Sequence, residues 1–493
     1  MESAAQAPDQ QVQQEQTFDV IVIGGGAVGE NAAGRAVQGG LSVVLVEAEL
    51  VGGECSYWAC MPSKALLRST QALRAARSVD GAAQAVTGEL DVAAVLARRD
   101  SFTSGWKDAG QARWLEDAGI ALVRGHGRIN GPKEVTVTAA DGSTTTLTAR
   151  HAVTIATGSA AAIPEVEGLH ESHPWTSREG TSVQIVPRSL AIIGGGVVAA
   201  ELATAYAAFG AEVTLLARSG LLGGMEPFAG ELVAEALQAQ GVSLRLNTSP
   251  QRVSRSAEGV RIETEEGDPL LVEEVLAATG RAPRTADLGL ESIGLEPGTW
   301  IDTDDTLRVL GFDWLYAVGD VTHRALLTHQ GKYQARAAGD VIAARAQGRR
   351  IDDSPWGAHV ATADHAAVPQ VTFTDPEVAS VGLIASAARE AGHRIRVVDY
   401  ALGDVAGSAL HADGYTGQAR MVVDEDRRVV LGMTFVGPDV AELLHAATIA
   451  VSAEVPLDRL WHAVPAYPTI NEIWLRLLET YGRPGEQTLN GLS

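Results

Sequence analysis

The chain has 493 residues, 46% of them hydrophobic and 53 of them glycine, so it is too long for one ordinary domain and rich enough to pack several α/β cores. A formal charge of −23 and a pI near 4.9 oppose a nucleic-acid role, because phosphate binding needs a basic surface or stripe and the sequence offers neither. The chain holds two cysteines, close together, which is not the framework of a disulfide-stapled secreted domain. Zinc would want about four ligands, and no His or Cys cluster stands nearby, so no metal is expected.

Residues 1–17, MESAAQAPDQQVQQEQT, lack Lys, Arg and any apolar run, and are expected to form a disordered tail rather than a targeting segment. No later segment gives the 18 or so uninterrupted apolar residues of a membrane span, so the protein is expected to be cytoplasmic.

The stretch 18-FDVIVIGGGAVGENAAGRAVQGGLSVVLVEAE-49 reads as apolar strand, glycine turn, helix and second apolar strand, a βαβ unit. In that context Gly24 lets the chain turn, Gly26 lets backbone approach a pyrophosphate, and Gly29 lets helix and strand pack closely. Glu47 falls where an acidic residue grips a ribose hydroxyl.

The same order recurs at 188-RSLAIIGGGVVAAELATAYAAFGAEVTLLAR-218, with Gly194, Gly196 and Ala199 in the three positions. Its second strand ends in Ala217 and Arg218, so no carboxylate waits for NADH and an arginine is placed for a 2′-phosphate. NADPH is the expected nicotinamide cofactor, with NADH as the alternative.

Further on, an apolar strand from Trp314 to Val318 ends in Gly319-Asp320, a carboxylate placed to accept cofactor hydroxyls. From about 366, strands at 368–383 and 428–437 and helices at 438–453 and 470–480 predict a mixed α+β domain without a glycine fingerprint, suited to an interface. The fold class expected is α/β, with two Rossmann-like nucleotide-binding domains and a C-terminal α+β dimerisation domain.

Between these landmarks lies 52-GGECSYWACMPSKALL-67. Cys55 and Cys60 lead into a helical pattern from Pro62 to Leu73, and thiols at a helix N-terminus feel the positive end of its dipole, which favours the thiolate. Beside a bound dinucleotide two such thiols form an electron relay; a buried pair of small hydrophobic side chains is the plainer alternative.

GGECSYWACMPSK, the two glycine fingerprints, 154-TIATGS-159, 277-AATGRAP-283, 316-YAVGD-320 and 372-TFTDPEVASVGL-383 together resemble the flavoprotein pyridine nucleotide-disulfide oxidoreductases, in order from about 18 to 480. The resemblance implies an FAD domain over 18–165 and 298–352, an NAD(P)H domain over 166–297, and a dimerisation domain over 353–493. It implies FAD contacts at Gly24, Gly26, Gly29, Glu47, Gly53, Lys64, Thr157, Gly158 and Asp320, and nicotinamide-dinucleotide contacts at Gly194, Gly196, Ala199, Arg218 and Gly280. Cys60 would face the flavin, Cys55 would meet the substrate, and Lys64 would pair with Glu201.

In the disulfide reductases a His-Pro-Thr with a following Glu supplies a base from the partner subunit, and here the segment reads 462-HAVPAYPTINEIW-474. Glu472 fits, but Tyr467 holds the histidine position. Imidazole titrates near neutrality, whereas a phenol with a reference pKa near 10 is mainly a hydrogen-bond donor. The segment YPT with a Trp in the redox loop is similar to the soluble transhydrogenases, and the VVA turn and LAR strand end to the mercuric reductases, yet Cys60 is present and the chain ends TLNGLS without a thiol.

The expectation is therefore a homodimeric FAD-dependent NAD(P)H oxidoreductase, with Tyr467 and Glu472 completing the site across the two-fold axis and electrons passing from NADPH through FAD to Cys55-Cys60 and a disulfide or dithiol. The alternatives are direct reaction of a quinone or second nicotinamide at the flavin, a mercuric-reductase-like activity without the C-terminal cysteine pair, or a subunit of a larger complex.

Overall fold

A computed structural model describes residues 14–265 and 267–483. The chain divides into two compact units, one of residues 1–56, 106–160 and 282–362, the other of residues 57–105, 161–281 and 363–493. The division falls between Ser56 and Tyr57, inside the cysteine segment.

The first unit is built on β1 (Gln14–Ile23), α1 (Ala27–Gln38) and β2 (Val43–Glu47). Its seven-stranded sheet runs 120–124, β2, β1, 144–155, 134–138, 126–131, and Leu315–Ala317 pairs with 144–155. The strands 120–124, β2, β1 and 144–155 are parallel. Val20, Ile21 and Val22 are wholly buried because both faces of this parallel layer are covered, and burying each such side chain contributes roughly 1.5–3 kcal/mol.

α1 buries Ala27, Gly29, Ala32, Ala33 and Ala36, a stripe of small residues at helical spacing. That stripe admits the helix Thr328–Ala346 so closely that a Cβ on Gly339 would stand 2.7 Å from Arg35 Cβ. The same helix pair is tied by Arg35, whose Nε and Nη2 reach the two oxygens of Asp340 at 2.6 and 3.0 Å.

The second unit begins within α2 (Gly53–Tyr57) and contains α3 (Cys60–Arg77) and α4 (Val92–Phe102). Its four-stranded parallel sheet has the order 243–246, 212–217, 189–193, 274–277, with a three-stranded antiparallel sheet at 250–272. The helix Val197–Ala208 is apolar nearly all round and buries every residue from Ala199 to Tyr206, as a helix without a polar face must. A five-stranded antiparallel sheet, 369–372, 377–382, 429–437, 418–424, 395–401, forms the C-terminal layer, and all nine residues of Val429–Gly437 are buried.

Several boundaries differ from the sequence reading. The first strand starts at Gln14, so residues 14–17 are not tail: their backbone pairs with Thr145–Thr148, and a ladder of backbone hydrogen bonds needs no apolar pattern. Residues 1–13 of the expected tail lie outside the described residues. The cysteine helix runs Cys60–Arg77 rather than 62–73, and the expected strand 314–318 is Leu315–Ala317. The helices expected at 438–453 and 470–480 each open with a 3₁₀ turn, at Val440–Leu443 and Ile470–Glu472, before Leu444–Ser452 and Ile473–Tyr481. No described helix is long and apolar enough to cross a membrane.

Candidate active site

In the first unit the glycines of the turn between β1 and α1 are required by the backbone around them. Gly24 has φ +102°, and a Cβ there would meet the Ala156 carbonyl oxygen at 2.4 Å; a Cβ on Gly29 would stand 1.9 Å from the Gly24 oxygen. Gly26 has no such obstacle closer than 3.9 Å, so its backbone is open to an approaching group. Glu47 ends β2, and its carboxylate accepts from Gly25 N–H at 2.6 Å and Glu49 N–H at 2.7 Å. Burial pushes the Glu47 carboxyl up despite those two donors.

The cysteine segment is held against this turn. Gly26 and Gly52 form a parallel bridge, Gly52 N–H donates to Gly25 oxygen at 2.7 Å, and a Cβ on Gly53 would come within 2.8 Å of Gly26 Cα. Cys55 follows on α2. Thr157 and Gly158 follow the strand 144–155; Thr157 Oγ1 is buried without a hydrogen-bond partner, and nothing lies within 4 Å of a Cβ on Gly158. Asp320 accepts from Ser159 Oγ at 2.5 Å. An orphaned buried hydroxyl, an open glycine and a strand-end carboxylate fit the phosphate and ribose of a dinucleotide such as FAD.

In the second unit the second glycine turn repeats the geometry: Gly194 has φ +136° against the Ala278 oxygen at 2.2 Å. Nothing lies within 4 Å of a Cβ on Gly196 or Gly280. The third position tolerates the methyl of Ala199, which is fully buried. Arg218 is exposed just past the strand 212–217 and makes no hydrogen bond or ion pair among the described residues, so its guanidinium is available to a 2′-phosphate.

Cys60 opens α3 after Ala59, with Pro62 inside the first turn as its lost N–H allows. One turn on, Lys64 Nζ meets Glu201 Oε2 at 2.7 Å; the Lys64 side chain is 36% exposed and that of Glu201 4%. Glu201 Oε1 accepts from Phe373 N–H at 2.9 Å, and Lys64 Nζ lies 5.1 Å from the Phe373 ring centroid. Phe373 was not anticipated from sequence, because it reaches the pair from 172 residues beyond Glu201 and no local pattern signals that.

Trp58, between the cysteines, is also anchored. Its carbonyl accepts from Thr181 Oγ1 at 2.9 Å, and the Arg178 guanidinium lies 4.1 Å from its ring centroid. The helix Ser177–Ser182 that carries both partners opens with a capping box of Thr176 and Glu179. Its far end is closed by the wholly buried Arg99, which donates to the carbonyls of Thr181 and, at 2.6 Å, Val183.

Tyr467 is 76% exposed. Glu472 is buried and its Oε1 accepts from Gly407 N–H at 3.3 Å; no hydrogen bond joins it to Tyr467 among the described residues. A Cβ on Gly407 would stand 2.0 Å from the Thr469 carbonyl carbon, so the glycine permits this close seat. His462, five residues before Tyr467, is exposed just after the short helix Leu457–Leu460.

The family model described as pyridine nucleotide-disulphide oxidoreductase matches residues 18–348, and the model of that family's dimerisation domain matches 368–477. The chain belongs to the pyridine nucleotide-disulphide oxidoreductase family. It is an FAD-dependent oxidoreductase, and members of the family use FAD and NAD(P)H. It is 31% identical to a mercuric reductase of Staphylococcus aureus over 465 residues, covering 92% of this chain and 81% of that protein. It is also 31% identical to a dihydrolipoyl dehydrogenase of Thermus scotoductus over 486 residues, covering 96% and 99%. Solved structures with the same fold include LpdA from Mycobacterium tuberculosis, with TM-score 0.80, 24% identity and coverage of 95% and 100%. The HOCl-induced flavoprotein disulfide reductase RclA from Escherichia coli superposes with TM-score 0.79 at 24% identity, covering 94% and 99%.

Proposed function

We propose that this family member takes two electrons from NADPH, delivers them to the Cys55-Cys60 pair, and passes them from Cys55 to a disulfide substrate, or runs the reverse with a dithiol. The observation that carries the reading is Cys60 at the first position of α3 with Lys64 one turn later, paired to a nearly buried Glu201. FAD, when bound, supplies the ring that accepts a hydride and hands the electron pair on. Gly24, Gly26, Gly29, Glu47, Gly53, Thr157, Gly158 and Asp320 are the residues that would hold it, and Gly194, Gly196, Ala199, Arg218 and Gly280 would hold NADPH.

The chain's own chemistry is thiol exchange. Cys55 thiolate attacks one sulfur of the substrate disulfide, that S–S bond breaks, and the departing thiolate takes a proton. Cys60 thiolate then attacks Cys55 in the mixed disulfide, releasing the second thiol and restoring the Cys55-Cys60 bond. Cys60, at the first position of α3, feels the positive end of the helix dipole, which favours its thiolate.

The domains proposed are 18–165 with 298–352 for FAD, 166–297 for NADPH, and 353–493 for dimerisation. The dimerisation-domain match supports a homodimer, in which the exposed Tyr467 would be offered to the partner's site while Glu472 braces the segment through Gly407. A cytoplasmic setting accords with a chain whose two cysteines work as thiols.

Replacing Cys55 by Ser tests the reading. Disulfide-dependent NADPH oxidation should fall to background while flavin reduction by NADPH persists; retention of disulfide turnover would overturn it. A second reading, reduction of a quinone or second nicotinamide directly at the flavin, is favoured by Tyr467, since a phenol is poorly suited to shuttle a thiol proton. It predicts quinone turnover in Cys55→Ser equal to that of the parent enzyme.

A further inference from the structure

The residue before Cys55 is an acid. Glu54 lies on α2, and its Oε1 accepts from Arg284 Nη2 at 2.9 Å. Arg284 is not a loose surface cation. Its Nε donates to the Ser159 carbonyl at 3.1 Å and its backbone N–H donates to the Gly158 carbonyl at 3.1 Å. Ser159 in turn donates its hydroxyl to Asp320. One guanidinium fork therefore joins the residue next to Cys55 to the strand end that carries Thr157, Gly158 and Ser159. The planar guanidinium meets the two acceptors with separate N–H groups set at a fixed angle, which a lysine ammonium does not present.

We propose that Arg284 is a positioning residue that sets the reactivity of the Cys55 thiol, by neutralising the adjacent Glu54 carboxylate and fixing α2 to the Gly158-Ser159 backbone. Its consequence for turnover rests on the reading of Cys55 as the substrate-facing thiol; its effect on the thiol does not.

Consecutive helix residues do not face one another, so Glu54 acts on Cys55 through its field and not by contact. Taking positive charge away there disfavours the thiolate, and taking negative charge away favours it. The remaining charged groups of this unit around the segment are Asp320 behind Ser159, and Glu30 and Glu47 on the glycine turn that Gly52 bridges. All three are carboxylates; Lys332 faces Glu30 and Arg124 faces Glu47, and Arg284 is a cation bonded to Glu54 itself. The Glu54 and Arg284 side chains are 24% and 39% exposed, and an ion pair so placed contributes little to stability, which leaves the variants able to fold.

The chain has two cysteines, so a Cys60→Ser background leaves Cys55 as the sole thiol. In the flavin-loaded full chain, the rate of Cys55 alkylation by iodoacetamide is followed from pH 6 to pH 9. Glu54→Gln should raise the rate at pH 7 by about threefold, Arg284→Gln should lower it by about threefold, and the double variant should return near the parent. The differences should shrink in high salt. A purely structural role would loosen α2 in both variants and move both rates the same way. That outcome, or no change in either, overturns the proposal. Disulfide turnover of Cys55→Ser with Cys60 intact, measured in parallel, reports on the functional reading separately: its survival would sink that reading while leaving opposite-signed alkylation rates to stand.

Discussion

Lys64 Nζ lies 2.7 Å from one carboxylate oxygen of Glu201, and the backbone N–H of Phe373 lies 2.9 Å from the other. Three segments far apart in the chain thus share one nearly buried charge. Breaking a buried pair by removing one partner costs more than the pair is worth, because the remaining charge stays desolvated. Lys64→Met should therefore destabilise by roughly 3 kcal/mol, the low end for a buried pair, since the lysine is partly exposed. Glu201→Gln keeps an acceptor for Phe373 and leaves a lysine that can reach water, and should cost about 1 kcal/mol. Thermal unfolding of the full chain compares the two; an equal or reversed order would contradict the arrangement.

Arg99 is wholly buried and holds the carbonyls of Thr181 and Val183 beyond the helix that anchors Trp58. Arg99→Met fills similar space but leaves two buried carbonyls without that donor, at about 1–3 kcal/mol each. The expected result is a loss of roughly 3 kcal/mol and faster proteolysis between residues 176 and 186. An unchanged unfolding midpoint would show that water or another donor satisfies these carbonyls.

Glu30 stands in the first turn of α1, and burial drives its carboxyl up to about 7, opposed by Lys332 and reinforced by Glu47. A carboxyl raised from about 4.5 is neutral in both the folded and unfolded states below that pH, so its ionisation costs nothing there. As pH climbs from 4.5 to about 7 the unfolded state loses its proton first, and the folded state gives up roughly 3 kcal/mol, about 2 of it between pH 5.5 and 8. Glu30→Gln should flatten this slope in the apoprotein. Chemical denaturation at the two pH values measures it, and an equal slope in both proteins would refute the assignment.

Tyr467 is exposed and stands beside the buried anchor between Glu472 and Gly407. If the segment serves a thiol proton, Tyr467→His should raise disulfide turnover at least tenfold at neutral pH, with a bell-shaped profile absent from the parent. Gly407→Ala should erase that gain, because its Cβ would collide with Thr469 and push the segment from its seat. Steady-state rates for the three proteins with a small disulfide decide the matter; no gain in Tyr467→His would favour chemistry at the flavin.

The two βαβ units were legible because each is a local pattern: an apolar run that must be buried, glycines where a Cβ would strike backbone, and a helical run behind them. Gly24 and Gly194 occupy matching left-handed positions against matching carbonyls, as the repeated motif predicts. The strand beginning at Gln14 was not legible, since Gln14–Thr17 carry no apolar signal and are ordered by the backbone of Thr145–Thr148. The three-stranded sheet of 250–272 was missed as well, being short, polar on one face and without a fingerprint.

The Lys64–Glu201 pairing, across 137 positions, was implied by the resemblance to a family, while by itself the sequence determined the two nucleotide folds and the place of Cys55 and Cys60 where a helix begins. These depend on periodicity and on residues within a few tens of positions. Only the tertiary structure decided what surrounds them: Phe373 on Glu201, Thr181 and Arg178 on Trp58, Gly407 on Glu472, and Arg284 on Glu54. Each of these joins residues 65 or more positions apart, and no local preference of a chain encodes which distant donor will reach a given carboxylate or carbonyl. That choice follows from how the sheets and helices pack.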